Sequence, residues 1–175
     1  MAKIAVVYKS KYGSAKQYAQ WLRAAMEAQL LEMPVTAPQL APFEKVIYVG
    51  GMYAGGVSGF SAFKKAWGQG SGKQLTLCAV GMAPGSEEGA KEITQRNLPP
   101  AMRGNVSVFQ LRGALDYPKM SRVHRAMMWC LKGMLKLVKG KNDPQTKLIA
   151  DSYGKRSDFS DKSTIRPVVA HVRGE

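Results

Sequence analysis

The stretch VVYKSKYGSAKQYAQWL, Val6 to Leu22, changes its period halfway along. Its first residues are apolar and β-branched, as in a buried strand. Its last residues place Tyr18, Ala19 and Leu22, followed by Ala25 and Met26, on one helical face. Between the two lies a turn, Ser10-Lys11-Tyr12-Gly13-Ser14. A helix N-terminus offers unpaired amides and the positive end of a dipole, which together suit a phosphate. Ser10 and Ser14 add hydroxyls, Lys11 and Lys16 add charge, and Gly13 permits a backbone closed to other residues. A plain strand-to-helix turn capped by Ser14 is the alternative. Neither a GxGxxG nor a GxxxxGK[ST] signature is present.

Working outward, four apolar runs recur: Lys3–Tyr8, Lys45–Val49, Gln74–Val80 and Asn105–Leu111, with a weaker one at Gln29–Met33. Near-continuous apolarity marks strands covered on both faces, as in a parallel sheet. Helical patterns separate most of them: Ser14–Met26, Phe60–Gly68 with Phe60, Phe63 and Trp67 on one side, and Ser86–Arg96 with a Ser-Glu-Glu start. The expected fold is an α/β three-layer sandwich, a five-stranded parallel sheet with helices on both faces. After the fifth strand the pattern changes to a loop, Arg112–Lys119, a long helix, Met120–Lys139, and a helical stretch near Pro144–Tyr153. These form a basic helical insertion over about residues 112–157 in what reads as a single domain, 1–175. A closing helix over Asp161–Val172 buries Ile165, Val168, Val169 and Val172 and tolerates Pro167 in its early turns.

Composition narrows the class. The chain has 175 residues, 45% apolar and 22% charged, ordinary for a globular protein with a sizeable core. No apolar run approaches the ~20 residues that span a bilayer. The N-terminal residues enter a strand without the features of a signal peptide, so the expected location is cytoplasmic. Cys78 and Cys130 have no zinc spacing, and no His, Cys and carboxylate cluster suggests a metal. With 26 basic and 12 acidic residues the formal charge is +14, which favours anionic partners. Nucleic acid is disfavoured, because no recognition motif or aromatic-interleaved basic strand is present.

Two more loops follow predicted strands. Gly50–Gly59 holds five glycines with Met52, Tyr53, Ala54, Gly55 and Gly56 at its centre, and Gly81, Met82 and Ala83 open the other. In an open α/β sheet, ligands bind beyond the carboxyl ends of the strands at the topological switch. A phosphate at the first loop and a planar ring between the other two is the arrangement FMN requires. Here the chain resembles the flavodoxin family. Ser10-Lys11-Tyr12-Gly13-Ser14-Ala15 is similar to that family's (S/T)-x-(T/Y)-G-x-T phosphate loop, with Ala15 in place of the last hydroxyl. An unfilled donor there would cost roughly 1–3 kcal/mol of FMN binding.

Leu111-Arg112-Gly113-Ala114-Leu115-Asp116-Tyr117-Pro118, followed by the long basic helix, resembles the bacterial menaquinone-dependent protoporphyrinogen oxidases, flavodoxin-like proteins with an insertion after the fifth strand. Tyr53-Ala54-Gly55 and Ser61-Ala62-Phe63 are similar to that branch too. The resemblance implies FMN, two-electron oxidation of a porphyrinogen and a quinone acceptor. Arg112, Asp116 and Tyr117 become candidates for propionate pairing and ring stacking, or for an Arg–Asp pair that pins the loop.

The long helix is cationic and amphipathic. Lys119, Arg122, Arg125, Lys132, Lys136, Lys139 and Lys141 fall in a stretch without a single acid. At about 100° per residue Arg122, Arg125, Lys132, Lys136 and Lys139 share roughly a quarter of the circle. Trp129 lies among them, and Val123, Met127, Cys130, Leu131, Met134 and Val138 oppose them. Such a helix could lie on an anionic leaflet and bring a flavin to a membrane quinone, or pack as a core helix with a solvated basic face. The leading expectation is an FMN-dependent oxidoreductase with its chemistry on the flavin. A one-electron flavodoxin-type carrier and a flavin-free basic membrane module are the alternatives.

Overall fold

A computed structural model describes residues 3–68, 72–138, 151 and 155–175. The chain divides into two compact units, Met1–Gly113 with Ser160–Glu175, and Ala114–Phe159. Lys139, the side chain of Lys136 and most of the helix expected near Pro144–Tyr153 lie outside the described residues.

Among the described residues the larger unit has five parallel strands: β1 (Ile4–Lys9), β2 (Gln29–Glu32), β3 (Lys45–Tyr53), β5 (Gln74–Gly81) and β6 (Val106–Arg112). Their order is β2-β1-β3-β5-β6, so the chain reverses its winding between β1 and β3. A short β4 (Gly56–Val57) runs antiparallel to the end of β3. Among the described residues this unit holds five helices: α1 (Ser14–Met26), α2 (Ala37–Leu40), α3 (Phe60–Trp67), α4 (Glu87–Asn97) and, near the C-terminus, α6 (Arg166–Arg173).

Side chains alternate across the sheet as strand geometry demands. Ala5, Val7, Val46, Tyr48, Leu75 and Leu77 join Phe60, Phe63 and Ile93 in one core. Val6, Ile47, Val49, Cys78 and Val80 join Tyr18, Leu22, Val168 and Val172 in the other. Both faces of the central strands are thus covered, which is why the interiors of β1, β3 and β5 carry hardly a polar residue. The edge strands β2 and β6 keep Gln29, Glu32, Ser107 and Gln110. The expected α/β sandwich is present. The closing helix begins with a 3-10 turn, Lys162–Ile165, and Val169 sits at the margin of its core.

The second unit holds β7 (Ala114–Asp116), a 3-10 turn (Tyr117–Lys119), α5 (Arg122–Val138) and β8 (Arg156–Asp158). The stretch expected to be loop, Arg112–Lys119, therefore contains a strand: Ala114, Leu115 and Asp116 pair antiparallel with Asp158, Ser157 and Arg156. Neither three-residue strand has an alternating pattern, and the partner lies some forty residues along, so no local signal marks the pairing.

Candidate functional site

The turn after β1 leads into α1 through Gly13, which caps the helix at φ 101° with no side-chain capping bond. A Cβ there would meet nothing within 4 Å, so the glycine answers to backbone conformation and not to space. The Ser10 hydroxyl accepts from the Gly13 amide at 3.1 Å, which orients Ser10 while its own proton stays available to donate. The first turn of α1 contains no acidic residue, and Lys11 and Lys16 are exposed. This donor set suits a phosphate in kind: hydroxyls, helix-start amides and two cations. Ala15 is buried in the core, so its side chain packs, and the hydroxyls at this turn come from Ser10 and Ser14.

The glycine-rich stretch expected to be loop is in part a hairpin. β3 runs on to Tyr53, and Met52 and Tyr53 pair with Val57 and Gly56. Ala54 at φ 50° and Gly55 at φ 82° make the two-residue turn, the left-handed pair that a tight hairpin requires. The weak Ala-Gly turn signal hid it. Close approach explains Gly50, where a Cβ would come within 2.6 Å of Val57 and 2.9 Å of the Ser58 carbonyl.

The three strand ends touch. Tyr12 from the first turn meets Tyr53 edge-on with ring centres 6.0 Å apart. A Cβ on Gly81, at the end of β5, would lie 3.2 Å from the Met52 sulfur. Arg112, at the end of β6, donates from Nε to the Met82 carbonyl at 3.1 Å. The sequence-predicted residues Ser10, Tyr12, Gly13, Ser14, Met52, Tyr53, Gly81 and Met82 are thus brought to one edge, over the β1–β3 reversal. Asp116 and Tyr117 belong to the second unit. There Asp116 lies 3.6 Å from the Lys119 ammonium and 4.0 Å from the Arg156 guanidinium, and Arg125 stacks on Tyr117 at 5.5 Å.

Two residues escaped the sequence reading. Asn97, the last residue of α4, accepts from the Val57 amide at 2.9 Å and donates to the Gly55 carbonyl at 3.1 Å. One amide side chain thereby holds both sides of the hairpin turn. Replacing Asn97 by alanine should leave those groups without that partner, costing about 1–3 kcal/mol. Urea denaturation would read the loss, and a flavin titration would show weaker retention. Tyr18 is the second. Its hydroxyl donates to the Arg112 carbonyl at 2.6 Å and accepts from the Asp161 amide at 3.1 Å. A helical tyrosine in an apolar stripe gives no sequence hint of this work.

A family model described as a flavodoxin domain matches residues 5–144. The chain belongs to the flavodoxin-domain family. FMN is its cofactor. Among solved structures, a flavodoxin, WrbA-like protein from Agrobacterium tumefaciens is 17% identical, with a TM-score of 0.50 over 71% of this chain and 88% of its own. That likeness concerns the fold. The Trp repressor binding protein of Bacillus subtilis is 20% identical, covering 63% of this chain and 83% of its own at a TM-score of 0.48. For Megasphaera elsdenii flavodoxin the figures are 17%, 60%, 80% and 0.46. No curated protein matches.

The flavodoxin edge also carries a pH signature. Burial, then the neighbouring Tyr12, pushes the Tyr53 phenol up to about 12, and burial raises Tyr48 and the Cys78 thiol as well. A folded pKa above the unfolded one contributes stability that is complete below the unfolded value and is lost as pH rises through the folded one. For Tyr53 the window runs from the ordinary phenol value of 10.0 to about 12. Denaturant midpoints should therefore fall across that range, and a Tyr53→Phe variant should fall less steeply. A flat profile would contradict the burial of these phenols. Among the described residues no group of His, Cys, Asp and Glu could hold a metal.

Proposed function

We propose that this flavodoxin-family protein is an FMN-dependent oxidoreductase that oxidises a porphyrinogen and delivers the electrons to a quinone. The observation that carries the cofactor part is the meeting of three strand ends over the β1–β3 reversal. In this reading Ser10, Lys11, Tyr12, Gly13, Ser14 and Ala15 form the phosphate turn. Met52, Tyr53, Ala54, Gly55, Gly56, Gly81, Met82 and Ala83 line the ring. When bound, FMN supplies the two-electron redox chemistry. The chain's part is to position and to exclude. Tyr53 keeps its proton far above neutral pH, so it adds no negative charge beside the ring. Asn97 holds the hairpin turn, and Arg112 holds the Met82 backbone.

The substrate half rests on the resemblance of Leu111–Pro118 and on charge: the propionates of a porphyrinogen suit a chain of +14. Each two-electron step takes two hydrogens from the macrocycle and leaves them on the quinone as a quinol. A quinone dissolved in lipid makes the inner face of a membrane the working place. A one-electron carrier is the second reading, favoured by family membership alone. Docking on a basic partner would need an acidic face, which this charge opposes. The test is anaerobic incubation of FMN-loaded protein with protoporphyrinogen and a soluble quinone. Porphyrin fluorescence that grows over many turnovers supports the enzyme. Retained FMN with no turnover returns the protein to the carrier class.

A further inference from the structure

The helix α5 shows solvent a face that the sequence pattern would ordinarily bury. Leu137 is 88% exposed, Val123 and Trp129 68%, and Met134 62%. At roughly 100° per residue, Leu137, Val123, Met134 and Met127 fall within about 80° of one another. Trp129 flanks them across Arg122. The sheltered side is elsewhere on the helix, at His124, Met128 and Lys132. Single exposed apolar residues are ordinary; a continuous stripe along a helix marks an interaction surface.

The charge around the stripe selects the partner. From Tyr117 to Asn142 the chain contains no acid, while Arg122 and Arg125 stand exposed at the start of α5. Apolar residues along one face, cations on the remaining sides with Arg122 nearest the stripe, an aromatic at the border and low mean hydropathy describe a helix lying in a bilayer surface. Among the described residues no helix is long and apolar enough to cross a membrane. An acidic protein groove would satisfy the cations, but it would have to accommodate an unbroken row of Val123, Met127, Met134 and Leu137. A fluid acyl region accepts such a row without complementary shape.

We propose that α5 is an anionic-membrane docking element that inserts Val123, Met127, Met134 and Leu137 between acyl chains. Trp129 sits at headgroup level, and Arg122, on the Leu137 side of the stripe, meets lipid phosphates. This surface deepens the quinone reading by bringing the protein to lipid. Its test reads binding without turnover, so either can fail alone.

FMN-loaded full-length protein is incubated with vesicles of phosphatidylcholine, or of equal parts phosphatidylcholine and phosphatidylglycerol, and floated on a density gradient. An environment-sensitive dye on Cys130, exposed on the stripe while Cys78 is buried, reports insertion of α5 itself. The protein should float with the anionic vesicles and much less with neutral ones, and the dye emission should shift to the blue. Val123→Ser with Leu137→Ser touches only exposed side chains, so the fold stands while vesicle affinity falls by roughly thirtyfold or more. Arg122→Glu should weaken binding and reduce its salt dependence. Failure to float, equal binding to both vesicle types or an unaffected double serine variant would overturn the proposal. A lipid-free dimer dissolved by the double variant would overturn it in favour of self-association.

Discussion

Replacing Gly13 by valine should weaken FMN binding by about a hundredfold while leaving the sheet folded. Gly13 stands at φ 101°, where a β-branched residue is a genuine outlier. The cost of forcing an L side chain into the left-handed region is of order 1–2 kcal/mol, and more for valine. The turn would escape by rotating, which moves the Gly13 amide off Ser10 and re-aims the first amides of α1. Charge-assisted bonds from such amides to a phosphate depend on direction, so a re-aimed set loses most of its worth. Nothing lies within 4 Å of a Cβ at this position, so the effect comes from backbone conformation and not from a clash. Quenching of free FMN fluorescence gives the affinity, and circular dichroism checks the fold. Gly13→Ala should fall between the wild type and valine. Unchanged affinity in both variants would remove the first turn from the cofactor site.

Tyr18→Phe should lower stability by about 2–3 kcal/mol, the second large effect. The side chain is fully buried on α1. Its hydroxyl bonds the chain where β6 ends, at Arg112, and where the C-terminal segment returns, at Asp161. Within the first unit, one phenol therefore ties the end of β6 to the returning C-terminal segment. Phenylalanine keeps the ring packing, including the edge contact with Trp21 at 5.1 Å, and removes only the hydrogen bonds. For a chain of this length the melting temperature should drop by roughly 5–10 °C. A drop of under about a degree would mean that the Arg112 carbonyl and Asp161 amide find water at no cost. Because α1 also begins at the turn proposed to hold the phosphate, about one helical turn before Tyr18, FMN titration of this variant shows whether that turn feels the loss.

Legibility followed the range of the forces involved. β1, β3 and β5 could be read because burial on both faces demands apolar side chains at every position. The turn Ser10–Ser14 could be read because hydroxyls and a glycine before a helix are local chemistry. Ala54-Gly55 reads as loop in the sequence because its turn type depends on the pairing of β3 with β4, which neither residue announces. Asn97 carries no sequence signal because its partners, Gly55 and Val57, lie some forty residues away.

The sequence by itself therefore determined the layered α/β architecture, the glycine-bearing strand ends and the acid-free cationic helix. These rest on side-chain period, backbone freedom and charge, all of which act between near neighbours. Only the tertiary structure decided that Tyr12 meets Tyr53, that Tyr18 ties Arg112 to Asp161 and that the apolar stripe of α5 faces water. An amphipathic pattern shows that a helix has an apolar side. What covers that side depends on long-range packing, which the pattern does not encode.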